Sequence, residues 1–204
     1  MTSLQARMDH RAGFLQVMFV CAGVLMQCSD AGTALSKHAA AGSCNLKDLS
    51  TLTKHLLRLS LNSYDGANGE SLGTWTPGFS ELEVQTNSTV NGTNVQCSLL
   101  FVVQGLKEIL KDQKEDLNPH DYSLHKDLKD SIFTTNSLKA CAKQILGGDC
   151  SPAPPPPKIP ITYFDRKQWS RTLLETAEIY ISWLEHQIGS LTKLQSRRTL
   201  MQKP

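Results

Sequence analysis

The chain has 204 residues, with 21 lysines and arginines against 19 aspartates and glutamates, so its formal net charge is +2. This length fits one domain with or without tails. A charge so close to zero produces no strong field for a polyanion, so nucleic-acid binding is not expected.

The N-terminal segment has the pattern of a secretory signal peptide. Arg7 and Arg11 precede an apolar run at residues 13–26, which is shorter than the roughly 20 residues that a membrane-spanning helix needs. Ser29 and Ala31 then provide the small side chains of a signal-peptidase site. The alternative, an uncleaved anchor, is disfavoured by the shortness of the run.

The predicted cleavage makes the protein secreted and extracellular. We expect residues 1–31 to be the signal peptide, 32–45 an N-terminal extension, 46–194 a four-helix domain and 195–204 a flexible tail. No later apolar stretch is long enough to span a bilayer, so stable membrane insertion is not expected.

Four helices are predicted from apolar residues that recur at steps of three and four. The stretch Asp65-Gly66-Ala67-Asn68-Gly69 is expected to end the first helix. Asn118 and Pro119 are expected to begin the third helix as its N-cap and first helical residue. The four predicted helices cover residues 46–64, 95–114, 119–146 and 165–194.

The lengths of the connections predict the topology. The crossover at residues 66–94 is long, the link between the second and third helices is short, and a stiff proline-rich link containing residues 152–157 precedes the fourth helix. A short link makes its two helices antiparallel, and long links allow parallel neighbours. The fold class expected is therefore all-α, an up-up-down-down four-helix bundle of the kind found in cytokines.

Four cysteines remain after the predicted cleavage: Cys44, Cys97, Cys141 and Cys150. An even number in a secreted chain predicts two disulfides, and the spacing does not match paired zinc ligands. In the predicted topology all four lie at one end of the bundle. Cys97–Cys141 with Cys44–Cys150 is favoured because the second and third helices are neighbours, and the crossed pairing stays open.

Two features of the polar segments bear on modification and chemistry. Asn87 and Asn91 each begin an Asn-x-Ser/Thr sequence and are predicted glycosylation sites. The chain contains no His-Glu-x-x-His, Gly-x-Ser-x-Gly or phosphate-loop pattern, so we predict that it is not an enzyme and has no metal site and no cofactor.

The start of the fourth helix carries the most informative pattern. Phe164 and Lys167 are three residues apart and share one face of the first turn, ahead of an apolar stripe that begins at Trp169. The stripe is expected to be core, whereas Trp183 is off its centre and is left unassigned. Phe164 is either an interface residue or a cap on the core, and composition alone favours the cap.

Several segments resemble the interleukin-6 family of long-chain cytokines, in the branch of leukemia inhibitory factor and ciliary neurotrophic factor. The segments are 112–114, 117–119 and 123–125 around the second connection, the Phe-x-x-Lys opening at 164–169, and more loosely 52–57 in the first helix. Departures such as the proline run at 152–157 indicate a non-mammalian relative.

The resemblance implies a monomeric secreted cytokine that joins two class I cytokine receptors and activates Janus kinases and STAT proteins. Phe164 and Lys167 would contact a leukemia-inhibitory-factor-type receptor. The faces of the first and third helices would contact the signal transducer shared by the interleukin-6 family. Competing interpretations are a secreted lipid-binding helical carrier and a short-chain haematopoietic cytokine.

Two further groups of residues are predicted with less specific patterns. The candidates for the shared-receptor face, which helical spacing places together, are Lys54, Arg58, His125 and Lys129, although each alone also fits ordinary solvated surface. Trp75 and Phe79 either face a receptor or hold the crossover against the bundle, and we favour the second interpretation.

Overall fold

The structure, a computed structural model, describes residues 44–76, 78–84 and 90–201, with side chains as far as Ser190. These residues belong to one compact unit that starts at Cys44. The predicted signal peptide, residues 32–43 of the predicted extension, Asn87 and the last three residues lie outside the described part.

The described chain is all-helical, and it contains no strand, which confirms the all-α prediction. A short 3-10 helix, Ser80–Leu82, lies in the first connection, and a π-helical turn, Gln113–Leu117, follows the second helix directly. The four α-helices are α1, Leu46–Asn68, α2, Gly92–Asp112, α3, Tyr122–Leu146, and α4, Tyr163–Met201.

The end of α1 lies beyond the predicted one. The helix continues through Gly66 because Gly69 supplies the termination instead, with a φ of 98° and its N–H donating to the carbonyl of Asp65 at 2.8 Å. A positive φ costs a glycine little, so the chain can leave the helix there without strain. The helix was predicted to end near Tyr64, and it ends at Asn68, within the stretch 65–69 that was expected to stop it.

The start of α3 and the end of α4 also differ from prediction. Asp121, rather than Asn118, caps α3 by accepting a hydrogen bond from the Leu124 N–H at 3.0 Å. Asn118 is engaged elsewhere, in contacts with α1 and the π-helical turn. At the other end of the chain α4 runs to Met201, so residues 195–201 of the predicted tail are helical.

Side-chain contacts tie α1 to α4 and to α3. Between α1 and α4, Lys54 pairs with Glu185 towards one end, and Arg171 contacts Asp65 at 2.9 Å towards the other. The earlier residue of α1 pairs with the later residue of α4, and the later residue of α1 with the earlier one of α4, so these two helices are antiparallel. The hydroxyl of Ser63 donates to Asp127 at 2.6 Å, which joins the later part of α1 to the beginning of α3.

The core lies between the four helices. Gly105 of α2 allows a close approach to α4, since a Cβ there would lie 2.2 Å from a methyl carbon of Leu173. Full burial of one large aliphatic side chain contributes about 1.5–3 kcal/mol. The largest fully buried side chains in the helices are Leu57, Tyr64, Leu99, Leu106, Ile109, Leu124, Leu128, Leu138, Leu173, Leu174 and Ile181.

The predicted core stripe of α4 and the predicted role of the crossover are both confirmed. Trp169 is buried, and Phe79 packs against it and against Phe101, with ring centroids 5.6 and 5.7 Å apart. The backbone N–H of Trp75 donates to the hydroxyl of Thr172 at 2.8 Å. These contacts hold the first connection on the bundle.

The disulfide pairing differs from the favoured one. The structure joins Cys44 to Cys141 and Cys97 to Cys150, so Cys97–Cys141 and Cys44–Cys150 are corrected to the crossed pairing. The reason is that the end of α3 lies beside the start of α1 as well as beside α2. Cys141, still inside α3, reaches Cys44, and Cys150, beyond the helix, reaches back to α2.

Beside the second disulfide, two glycines bring backbone against backbone. A Cβ on Gly92 would lie 2.5 Å from the carbonyl oxygen of Gly147, and one on Gly148 would lie 2.4 Å from the backbone nitrogen of Thr93. Neither neighbouring atom belongs to a side chain that could rotate away. The first turn of α2 and the segment after α3 therefore meet at a distance that only glycine allows.

Candidate functional site

The beginning of α4 displays apolar side chains to solvent. The Thr162 hydroxyl accepts from the Asp165 N–H at 3.3 Å, which caps the helix and fixes where its first turn begins. Phe164 is 55% exposed and Ile161 is 96% exposed. Tyr163 is also more than half exposed. We call Ile161, Tyr163, Phe164 and Lys167 the α4 tip.

Lys167 lies against the ring beside it. Its Nζ is 4.6 Å from the centroid of Tyr163, a distance typical of a cation–π contact, and its side chain is half-buried. The Tyr64 hydroxyl donates to the Lys167 carbonyl at 3.3 Å. Burial raises the pKa of Tyr64, so the hydroxyl stays protonated as a donor. The tip is thus connected to the core at this residue.

Below the tip, Arg166 bridges two carboxylates. Its Nη1 lies 2.7 Å from Asp112 Oδ1 and its Nη2 lies 2.6 Å from Asp116 Oδ2. Asp112 is almost fully buried, whereas Asp116 is largely exposed. Burial raises the pKa of Asp112, and the nearby Arg166 guanidinium opposes that shift. The arginine therefore joins α4 to both ends of the turn that follows α2.

Three side-chain amides form a second polar contact at this end, which we call the amide cluster: Asn68, Gln113 and Asn118. The Asn118 amide nitrogen donates to Gln113 at 2.7 Å and to Asn68 at 3.0 Å. Asn68 in turn donates to Gln113 at 3.1 Å. The cluster joins the end of α1 to the π-helical turn.

The four candidates for the shared-receptor face do not form one exposed surface. Arg58 and Lys129 are exposed, but Lys54 is half-buried and paired with Glu185 of α4. His125 is only 4% exposed, so its prediction as a surface residue was wrong. The reason is that α3 packs against both α1 and α2, which makes its buried face wide enough to include His125 next to Leu124.

The pair between Lys54 and Glu185 has a distinct electrostatic character. The Lys54 ammonium and the Thr51 hydroxyl both donate to the Glu185 carboxylate, and they hold its pKa below the usual range. This carboxylate therefore stays ionised on folding. It stabilises the contact between α1 and α4.

A shallow depression of about 470 Å³ lies where the second connection meets α3. Lys126, one of its rim residues, already pairs with Asp130 at 2.6 Å. Three lysines and one acidic residue, Asp130, contribute to its lining. Its lining residues are Lys114, Pro119, Tyr122, His125, Lys126, Lys129 and Asp130.

Asn91 is exposed and has a structural task besides its predicted modification. Its side-chain oxygen accepts from the N–H groups of Thr93 and Asn94, at 2.9 and 3.3 Å, and so caps α2. A glycan attaches to the amide nitrogen and leaves this oxygen free to accept. Glycosylation of Asn91 stays a prediction with which the cap is compatible.

Sequence reasoning missed Arg166, Asp112 and Asp116. The sequence did contain one signal, two aspartates four residues apart near the end of a helix. A negative charge there interacts unfavourably with the helix dipole. Such a pair predicts a neighbouring positive charge, but the sequence does not show that Arg166, far along the chain, provides it. It also gave no sign that Tyr163 would cover Lys167.

Comparison with protein-family models, with curated protein sequences and with solved structures finds no match. Within the described ranges, none of the helices combines the length and the apolar character needed to cross a membrane. The same residues contain no group of three or more His, Cys, Asp or Glu side chains placed to hold a metal ion.

Proposed function

We propose that the protein is a secreted cytokine of the interleukin-6 family that brings together the shared signal transducer of that family and a leukemia-inhibitory-factor-type receptor. The joined receptors would activate Janus kinases and STAT proteins. Two disulfides are compatible with an extracellular protein. The protein would act by binding alone.

The arrangement of the helices supports an up-up-down-down bundle as part of this proposal. Towards its start α4 contacts the end of α2 through Arg166 and Asp112, and the end of α1 through Arg171 and Asp65. The start of α1 is bonded to the end of α3 through Cys44. Contacts of this kind are expected when the first two helices point one way and the last two the other.

The α4 tip is the observation that carries the receptor proposal. Aromatic side chains are enriched at protein interfaces, and the exposed Phe164 would serve as the anchor of this one. Burying Phe164 against a receptor would remove its apolar surface from water, whereas Lys167, already laid on Tyr163, would need little further ordering. Truncating Phe164 should cost on the order of 2 kcal/mol of binding.

The test measures STAT phosphorylation in cells that carry the shared transducer, with and without the leukemia-inhibitory-factor-type receptor. We expect a signal only when both are present. Phe164→Ala combined with Lys167→Ala should lower potency by about thirtyfold or more, the equivalent of 2 kcal/mol.

Ile179→Ala is the matched control, because Ile179 is an exposed apolar side chain on the same helix, 58% accessible and about four turns away. It should retain wild-type potency. Absence of a wild-type signal in cells with both receptors would contradict the proposed receptor pair. An equal loss in the control would contradict the assignment of the α4 tip.

A further inference from the structure

We propose that Arg166 is a positioning residue that fixes the first turn of α4 and thereby presents Phe164 and Lys167 to the receptor. This inference rests on the proposed function for its consequence, but its structural part can be tested without a receptor. It assigns a role to a side chain that lies between the two predicted contact residues.

The first turn of a helix needs such support because its leading N–H groups have no intrahelical acceptor. Here the Thr162 hydroxyl accepts from Asp165, and the Thr162 carbonyl accepts from the Arg166 N–H at 3.0 Å. Phe164 precedes both of these donors. With its side chain 55% exposed, Phe164 has limited packing to hold it in place.

Arg166 is well built for this purpose. Its side chain is 18% exposed, and its two terminal nitrogens contact two different carboxylates. A guanidinium has a rigid planar fork, so two contacts fix its orientation as well as its position. Tyr163 lies over the same side chain, with the Arg166 Cζ 5.9 Å from the ring centroid.

The charges are arranged in a way that favours docking of α2 with α4. Asp112 and Asp116 lie at the end of α2 and in the turn beyond it, where carboxylates oppose the helix dipole. Arg166 lies near the beginning of α4, where a positive charge also interacts unfavourably with the helix dipole. Each charge is unfavourable at its own helix end and is compensated by the opposite charge on the other element.

The π-helical turn makes the bridge possible. Asp112 is the last residue of α2, and Asp116 lies within the turn Gln113–Leu117. The amide cluster secures this turn to the end of α1 through Gln113 and Asn118. Arg166 therefore pairs with a turn whose position is fixed by hydrogen bonds to α1. These contacts in turn fix the position of the first turn of α4.

The first experiment is hydrogen exchange of the backbone amides at residues 165–168. Arg166→Met removes the charge and keeps most of the aliphatic stem, and we expect it to speed exchange of these amides roughly tenfold through local opening. Arg171→Met is the matched control, since Arg171 lies further along the same helix and pairs with Asp65 of α1. It should leave their exchange within about twofold of wild type.

The second experiment is a double-mutant cycle for binding to the soluble ectodomain of the leukemia-inhibitory-factor-type receptor. Arg166→Met should weaken binding roughly tenfold in the wild-type background and less than about twofold in a Phe164→Ala background. A purely global loss of stability would not depend on Phe164 in this way. An equal loss in both backgrounds would overturn the inference that Arg166 acts through Phe164.

The two experiments separate the possible failures. Lack of wild-type binding would contradict the proposed function, whereas unchanged amide exchange in Arg166→Met would overturn the positioning role itself. If thermal unfolding shows that Arg166→Met does not fold, Asp116→Asn replaces it, because its carboxylate is 59% exposed and only one contact is weakened. Asp116→Asn should also speed exchange of these amides, by less than the tenfold expected for Arg166→Met. Unchanged exchange in Asp116→Asn would overturn the proposal.

Discussion

The two ends of the helix bundle are held together by different means. At one end, which we call the cystine end, Cys44–Cys141 and Cys97–Cys150 are covalent bonds between elements far apart in sequence. At the other, the polar end, the Arg166 bridge and the amide cluster do the corresponding work. A disulfide acts largely by restricting the unfolded chain. A polar network contributes only when every partner is in position.

This difference matters because the α4 tip lies at the polar end. Its geometry then depends on non-covalent contacts that open locally at a lower cost than the whole fold. The cystine end keeps the four helices assembled, while the polar end determines how Phe164 is presented. Changes at the first end should therefore affect global stability, whereas changes at the second should lower stability and, under the proposed function, also alter how the α4 tip is presented to a receptor.

The largest effect is expected from the disulfides. Replacing Cys44 and Cys141 together by serine should lower the free energy of unfolding by about 2–4 kcal/mol, as should replacing Cys97 and Cys150. The sequence separations are 97 and 53 residues, so in the chain-entropy model the first pair contributes about 0.5 kcal/mol more. Guanidinium denaturation of the two double variants measures both effects.

A second measurement checks the pairing itself. Proteolysis without reduction should release one linked peptide pair containing Cys44 and Cys141 and another containing Cys97 and Cys150. Linked peptides that join Cys97 to Cys141 would contradict the structure and restore the pairing that the sequence favoured.

The next effect is expected at the amide cluster. Asn118→Ala removes hydrogen bonds to Asn68 and Gln113. It should destabilise the fold by about 1–3 kcal/mol, because the side-chain oxygen of the buried Asn68 loses its donor and Gln113 keeps only its bond to Asn68. Asn136→Ala is the control, since Asn136 is exposed and its amide donates within its own helix to Ile132. Equal losses of stability in urea denaturation would show that the cluster contributes nothing particular.

Acid should affect two carboxylates in opposite ways. The native pKa of Glu185 is lowered, so its stabilising contribution is present above the unfolded value of about 4.3 and is lost as pH falls through the native pKa. The native pKa of Asp112 is raised. Its favourable contribution is complete below the unfolded value of about 3.9 and is lost as pH rises through the native pKa.

Urea denaturation between pH 3 and 7 tests this difference. The stability of wild type relative to Glu185→Gln should decrease on acidification, while its stability relative to Asp112→Asn should increase. Two differences that change in the same direction would contradict the assigned shifts. The comparison is internal, so the titration of other groups largely cancels.

The smallest effect is expected at the exposed pair of Lys126 and Asp130. Asp130→Asn should leave the midpoint of urea denaturation unchanged within error, because solvent and salt screen an exposed pair of this kind. A clear loss of stability would mean that the edge of α3 contributes more to the fold than its exposure indicates.

The sequence predicted the four helices and the buried stripe of α4, because apolar residues at helical spacing mark the face that a helix tends to bury. Trp169 and Leu173 belong to such a stripe, and both are buried.

The same spacing misled in α1, where Leu52 and Leu59 are exposed and Ser50 and Thr53 are buried. Spacing failed where a helix has two neighbours. His125 lies on the buried face of α3, which is wide because α3 packs against both α1 and α2. The sequence does not show that this face extends to a polar residue such as His125.

The remaining errors concern partners that are distant in the chain. Cys141 could reach either Cys44 or Cys97, and only the position of α3 beside α1 decides between them. Asn118 looked like a helix cap, but the amides of Asn68 and Gln113 engage it instead. For the α4 tip, an exposed Phe164 was expected only from the family resemblance, since composition alone favoured a cap on the core. Its support by Arg166 depends on tertiary contacts.

The glycine contact between the start of α2 and the segment after α3 places a constraint on the sequon at Asn91. The middle position of an Asn-x-Thr sequence tolerates almost any residue except proline for modification. Here packing against the Gly147 carbonyl leaves room for hydrogen alone at Gly92. When residues 92 and 148 are randomised in a library and folded variants are selected, glycine should be recovered at both positions. This should hold even when the protein is not glycosylated.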